Sequence, residues 1–133
     1  MAMSGLSAIR GIDYTILIVR DMAAMRRFYA EVMGFPLERT LGDSWIEHRV
    51  GSNILALAER SATRAASEPD LPADRAAVQL AFRVARREVD RCAAELKALN
   101  VAIIEPPNDQ LWGHRTLFFR DPDGNLLEIY AEI

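Results

Sequence analysis

The chain has a single cysteine, Cys92, so it can form no internal disulfide, and its cysteine usage fits a reducing compartment. No apolar run approaches the roughly 20 residues a membrane helix needs. The first ten residues hold no apolar core of signal-peptide length. The expected location is therefore the cytoplasm, with no membrane partner. Histidines are scarce too: only His48 and His114 are present. Positive charge is not in surplus. A net charge of −3 gives no reason to expect nucleic acid or an anionic membrane as partner. What is present is ordinary for a globular protein: half of the 133 residues are hydrophobic and 26% are charged, enough for one domain, 1–133, with a real core.

The most informative stretch lies near the C-terminal end. Asp121, Pro122 and Gly124 occupy positions i, i+1 and i+3 of a type I turn, where a side-chain cap, a preset φ and a small residue are each favoured. The residues after it alternate. Leu127, Ile129 and Ala131 share one strand face; Leu126, Glu128 and Tyr130 share the other. A carboxylate between two large apolar groups is costly to desolvate unless it is paired or coordinates something. The second face is therefore expected to line a pocket.

From the beginning, residues 12–19 read as a strand rich in β-branched residues. Thr15, Leu17 and Val19 lie on one face, and Ile12, Tyr14, Ile16 and Ile18 on the other. Both faces are mostly apolar and are expected to be covered. Asp21 is a helix N-cap candidate. The apolar stripe Met22, Met25, Phe28, Tyr29, Val32 and Met33 follows at helical spacing, and Gly34 ends it. Residues 35–40, 45–50 and 54–58 read as strands, with a turn at 41–44 and a tight hairpin connection at 51–53. Residues 59–76 lose all periodicity and read as a linker or mobile flap. The pattern then restarts: a strand at 77–84, a helical stripe of Val89, Cys92, Leu96 and Leu99, a strand at 101–105, a loop at 106–113, and strands at 115–119 and 126–131.

The order is thus βαβββ, linker, βαβββ: an α+β chain of two modules, 11–58 and 77–133, that pair into a cupped mixed sheet around a cleft. The cleanly apolar pairs Leu55 with Leu57, Leu80 with Phe82, and Leu127 with Ile129 belong under the helices. That leaves Tyr14, Ala56, Gln79 and Glu128 at four pseudo-equivalent positions on the cleft side.

Asp21, Phe28-Tyr29, Gly34-Phe35, 81–84 (Ala-Phe-Arg-Val), 112–115 (Trp-Gly-His-Arg), and the 121–125 turn followed by Glu128 span nearly the whole chain. In this order and spacing the chain resembles the vicinal oxygen chelate superfamily, which includes glyoxalase I, extradiol dioxygenases, and the bleomycin and fosfomycin resistance proteins. The resemblance implies a glyoxalase-like fold and homodimers. In the family's metal enzymes, four cleft positions hold a divalent ion that a substrate chelates through two oxygens. Carried over, these positions are Tyr14, Ala56, Gln79 and Glu128, and only Glu128 matches the usual donor. Ala56 has no donor atom, a Tyr14 ligand would have to lose its proton, and Gln79 is a weak neutral ligand. The expectation is therefore no metal and no cofactor. If one divalent ion binds, Glu128 and Gln79 are its ligands, with Glu47 or His48 as further candidates.

The remaining set suits a small-molecule site: Tyr14, Gln79, Glu128 and Tyr130 as the cleft, gated by Trp112, with Arg115 pairing with Glu128 or receiving a ligand anion. Three classes of function follow. One is a metal-free small-molecule binder. Another is a lyase, isomerase or dioxygenase with an unusual metal site. The third is metal-free acid–base catalysis with Glu128 as base and Tyr14 as acid. His48 falls on the apolar face of its strand, as a core or interface histidine would, and His114 is expected in an exposed loop.

Overall fold

The computed structural model describes residues 5–69 and 78–133. Eight strands and two helices follow in the order β1 (Tyr14–Val19), α1 (Met22–Arg27), β2 (Leu37–Thr40), β3 (Trp45–Val50), β4 (Asn53–Glu59), β5 (Gln79–Arg83), α2 (Glu88–Ala98), β6 (Ile103–Asp109), β7 (His114–Arg120) and β8 (Leu126–Glu132). They form two four-stranded mixed sheets of identical topology, β1-β4-β3-β2 and β5-β8-β7-β6. In each, the first strand runs parallel to the last and the other pairs are antiparallel. This is the α+β arrangement of two βαβββ units that the periodicity predicts.

The Asp21 side chain accepts the Ala24 N–H at 3.0 Å and starts α1. The helix does not continue as a regular α-helix to Gly34. Phe28–Val32 widens into a π-turn, with the Met33 N–H bonded to the Phe28 carbonyl five residues back. The widened turn lets the adjacent Phe28 and Tyr29 both enter the core, edge to face at 5.1 Å. Gly34 then reverses the chain at φ +70°, a conformation open to glycine without penalty.

The faces under the helices supply one continuous core. Leu17, Val19, Ile46, Leu55 and Leu57 come from the first sheet, Leu117, Phe119, Leu127 and Ile129 from the second. Met25, Tyr29, Val89 and Leu96 pack between them from the helices. Phe35 and Phe82 touch across the two units at 5.5 Å. Polar contacts reinforce the join. Asp123 accepts the N–H groups of Arg20 and Asp21, and the Tyr29 hydroxyl donates to Asp121.

Several sequence expectations need correction. Residues 106–109 are not loop. β6 runs through Pro106 and Pro107, because it is the edge strand of its sheet and its register shifts twice along β7, so the missing N–H groups leave no ladder unfilled. Leu99 leaves the core stripe and is exposed, since α2 ends at Ala98 and Asn100 turns the chain with φ +62°. Residues 60–69 are an organised segment rather than featureless linker, beginning with a 3₁₀ turn at Arg60–Ala62. Residues 70–76, and Ala77 at the start of the expected fifth strand, lie outside the described residues. Finally, the Tyr14, Ile16, Ile18 face of β1, expected to be covered, keeps partial exposure among the described residues, Tyr14 the most.

Candidate functional site

Strand register decides which side chains share a face. On β8, Leu127, Ile129 and Ala131 are buried, while Leu126, Glu128 and Tyr130 are half-buried on the face away from the helices. Gln79 stands beside Leu126 and Ala81 beside Glu128 on one flank; Phe118 and Thr116 stand beside Glu128 and Tyr130 on the other. The structure thus brings Gln79, Glu128 and Tyr130 together on one face of the second sheet. Glu128 has no hydrogen bond or ion pair among the described residues. His114 is not in a loop: it opens β7, and its ring stacks on Tyr130 at 4.5 Å.

The first sheet repeats this geometry. Tyr14 is to Ile54 as Gln79 is to Leu126, and Ile16 is to Ala56 as Ala81 is to Glu128. Tyr14 is 51% exposed. It lies on the face corresponding to that of Glu128, but on the other sheet. Ala56 is fully buried between Ile16 and Glu47, its cross-strand neighbours.

Arg115 is placed elsewhere, which corrects the expected pairing with Glu128. It faces Ala131 in the register and shares a strand face with the buried Leu117 and Phe119, so it points to the helix side. Its guanidinium donates to Asp109 and to Asp90 of α2, both at 2.9 Å. These two carboxylates hold its pKa above the ordinary arginine value. The sequence signal was available: Arg115 shares parity with the apolar Leu117 and Phe119, the side of the strand that belongs under the helix. Trp112, at the tip of the β6–β7 turn, is 63% exposed.

His48 lies on the helix side and is buried. Its Nδ1 is 3.3 Å from the Phe35 carbonyl, and its Nε2 has no partner among the described residues. Burial pushes its pKa below the usual histidine value. Glu47 faces the open side but is occupied: it accepts the Trp45 indole N–H at 2.8 Å and pairs with Arg39 at 3.2 Å.

A family-type metal centre does not fit these residues. Among the described residues, no three His, Cys, Asp or Glu side chains are grouped so as to hold an ion. Ala56 offers no donor at the second position. Glu47 is committed to Trp45 and Arg39, and His48 lies on the opposite face of the sheet.

Sequence reasoning missed one feature of the open face. Ile16, Ile18 and Trp45 form the floor of a cavity of about 630 Å³ roofed by residues 61–65. Their shared face was legible from strand parity; the roof was not, because residues 59–76 carry no periodic signal.

Residues 11–129 match the model of the Glyoxalase/Bleomycin resistance protein/Dioxygenase superfamily. The chain is similar to the uncharacterized Escherichia coli (strain K12) protein YaeR, with 27% identity over 128 residues, covering 93% of this chain and 98% of YaeR. A glyoxalase/bleomycin resistance protein/dioxygenase from Nocardioides superimposes with a TM-score of 0.80 at 24% identity, over 95% of this chain and 85% of that one. A lactoylglutathione lyase from Agrobacterium tumefaciens gives a TM-score of 0.74 at 23% identity, over 91% and 92%. Likeness at these identities shows the shared fold, whereas the family model spans nearly the whole chain: it belongs to the Glyoxalase/Bleomycin resistance protein/Dioxygenase superfamily.

Proposed function

We propose that this protein is a small-molecule-binding member of its superfamily that works without the divalent metal site of the family's metal enzymes. The observation that carries this reading is the donor set. Ala56, fully buried, stands where a second ligand would be needed, and among the described residues Glu128 is left without a carboxylate or imidazole companion. One good oxygen donor beside a neutral amide and a phenol does not retain a transition metal against water. The open faces instead offer aromatic and aliphatic area with a few polar groups, as small-molecule sites do: Tyr14 on the first sheet; Gln79, Glu128 and Tyr130 on the second. The lone cysteine supports a cytoplasmic setting for such a protein.

The test is elemental analysis of protein purified without chelator. Well under one transition-metal ion per chain is expected. Added Ni²⁺, Zn²⁺, Mn²⁺ or Fe²⁺ should give no stabilisation of the kind that site binding produces by mass action. Stoichiometric metal that disappears in Glu128→Ala would overturn the reading in favour of a lyase, isomerase or dioxygenase with a non-standard ligand set.

A further inference from the structure

We propose that the cavity beneath residues 61–65 is the subsite for the aromatic-sized apolar body of an organic anion, with Arg64 receiving the anionic group. This deepens the metal-free binding reading and rests on it.

The floor is apolar by construction. Ile16 and Ile18 project from β1 and are 36% and 39% exposed, while Ala56 and Ala58 of the neighbouring strand are fully buried. Across β4, Trp45 stands beside Ala58 and Glu47 beside Ala56. Two small residues flanked by large ones let the large side chains close over them into a hydrocarbon surface.

Trp45 is a fixed wall. Its only hydrogen-bonding group is spent on Glu47, and Glu47 is held in turn by Arg39, so the polar edge of the indole is satisfied inside the protein. Its ring is left to line the cavity.

The roof is built as well. Arg60 donates to the carbonyls of Ala65 and Glu68, at 3.1 and 3.4 Å. The Thr63 hydroxyl donates to the Arg60 carbonyl at 2.9 Å and accepts the Ala65 N–H at 3.1 Å. These bonds hold the segment over the floor and place Arg64 between its two anchored neighbours.

Charge selects the occupant. Among the described residues, Arg64 is the one charged side chain lining the cavity, and it has no hydrogen bond or ion pair there. Glu47, next to the floor, is paired with Arg39, and Glu59 and Glu68 line the adjoining cavity rather than this one. An apolar chamber with one unspent cation at its roof favours a ligand with an apolar body and a single anionic group. Its volume of about 630 Å³ is in the range of drug-sized ligand sites.

The experiment uses two probes with one ring system, 1-anilinonaphthalene-8-sulfonate and its uncharged counterpart N-phenyl-1-naphthylamine, titrated against the full chain. Saturable binding of one molecule per chain is expected for both, with the sulfonate roughly tenfold tighter, the effect of one charge-assisted hydrogen bond. Arg64→Gln should erase that advantage and leave the uncharged probe unchanged. Ile18→Glu should weaken both probes by about tenfold or more, since it puts a charge on the apolar floor. Ile16→Gln, a milder change, should weaken both in the same direction. Energy transfer from tryptophan to bound probe should fall in Trp45→Phe, in which Trp112 is retained. Circular dichroism checks that each variant is folded. An unchanged sulfonate preference in Arg64→Gln overturns the anion assignment, and unchanged affinity in both isoleucine variants overturns the subsite. Binding lost in Glu128→Gln but intact in the isoleucine variants would also overturn it, while leaving the metal-free reading to stand on its metal content.

Discussion

The phenolic oxygen of Tyr29 lies 2.7 Å from Oδ2 of Asp121, and both side chains are buried. One residue closes the helix of the first unit; the other opens the turn before the last strand of the second. Asp121 also accepts the N–H groups of Asp123 and Asn125 and the Asn125 side-chain amide. Tyr29 thus ties the first unit directly to the turn that sets the start of β8, and through it the placement of Glu128. Burial and the adjacent Asp121 charge push the Tyr29 pKa upward, so the hydroxyl stays a donor. Tyr29→Phe should cost about 1–3 kcal/mol, the usual cost of unpairing one buried group. Urea unfolding measures it; a loss under about 0.5 kcal/mol, within the range of ordinary surface changes, would show that the bond does not join the units.

Glu128 leads to a different expectation. It is half-buried between Leu126 and Tyr130 and unpaired among the described residues. Replacing it with Gln keeps the shape and removes the cost of poorly solvating a charge. The change should be neutral or stabilising, by at most about 1 kcal/mol. Arg115 lies on the other face with Asp90 and Asp109, so the double variant with Arg115→Met should show a coupling energy near zero. A destabilisation of about 1–3 kcal/mol in Glu128→Gln would mean that a cation is left behind.

Legibility followed the strength of the local signal. The Asp121 turn and the alternation around Glu128 were readable because each residue type there has a single mechanical use. The internal repeat was readable because its two copies keep the same strand register, Ile16 with Ala56 and Ala81 with Glu128. Arg115 was misplaced for a local reason: the expectation placed it by its charge and not by its parity, which it shares with the buried Leu117 and Phe119. The prolines of β6 hid a strand, because proline excludes a central position and not an edge one. The cavity roof was illegible: it is held by Arg60 and Thr63 bonding to nearby carbonyls, an arrangement with no period.

The open end of the β1 face, at Tyr14, bears on assembly. Tyr14 lies outside the cavity that residues 61–65 roof over Ile16 and Ile18, so its aromatic surface stays open, and β1 and β5 are edge strands of their sheets. Exposed apolar edges of this kind are normally covered. A two-fold homodimer, the commonest closed assembly, is the expected cover. Light scattering at micromolar concentration should give twice the mass of the 133-residue chain. A clean monomer mass would remove this explanation for the open face.

His48 sets an expectation for pH. It is buried, Nδ1 lies 3.3 Å from the Phe35 carbonyl, and Nε2 is unpartnered among the described residues, an arrangement that suits a neutral ring. Burial is the largest cause of its lowered pKa, and the nearby charge of Arg26 adds to it. With the folded value below the unfolded value of about 6.5, the unfolded chain binds the proton more readily. Stability should therefore be at its plateau above that pH and fall as pH drops from there through the folded value. His48→Phe fills the same space without the titrating group. Its stability should decline less over that acidic window than that of the parent chain. If the two pH profiles are parallel between pH 7.5 and 5, His48 is not the group responsible, and a partner for Nε2 must form in solution.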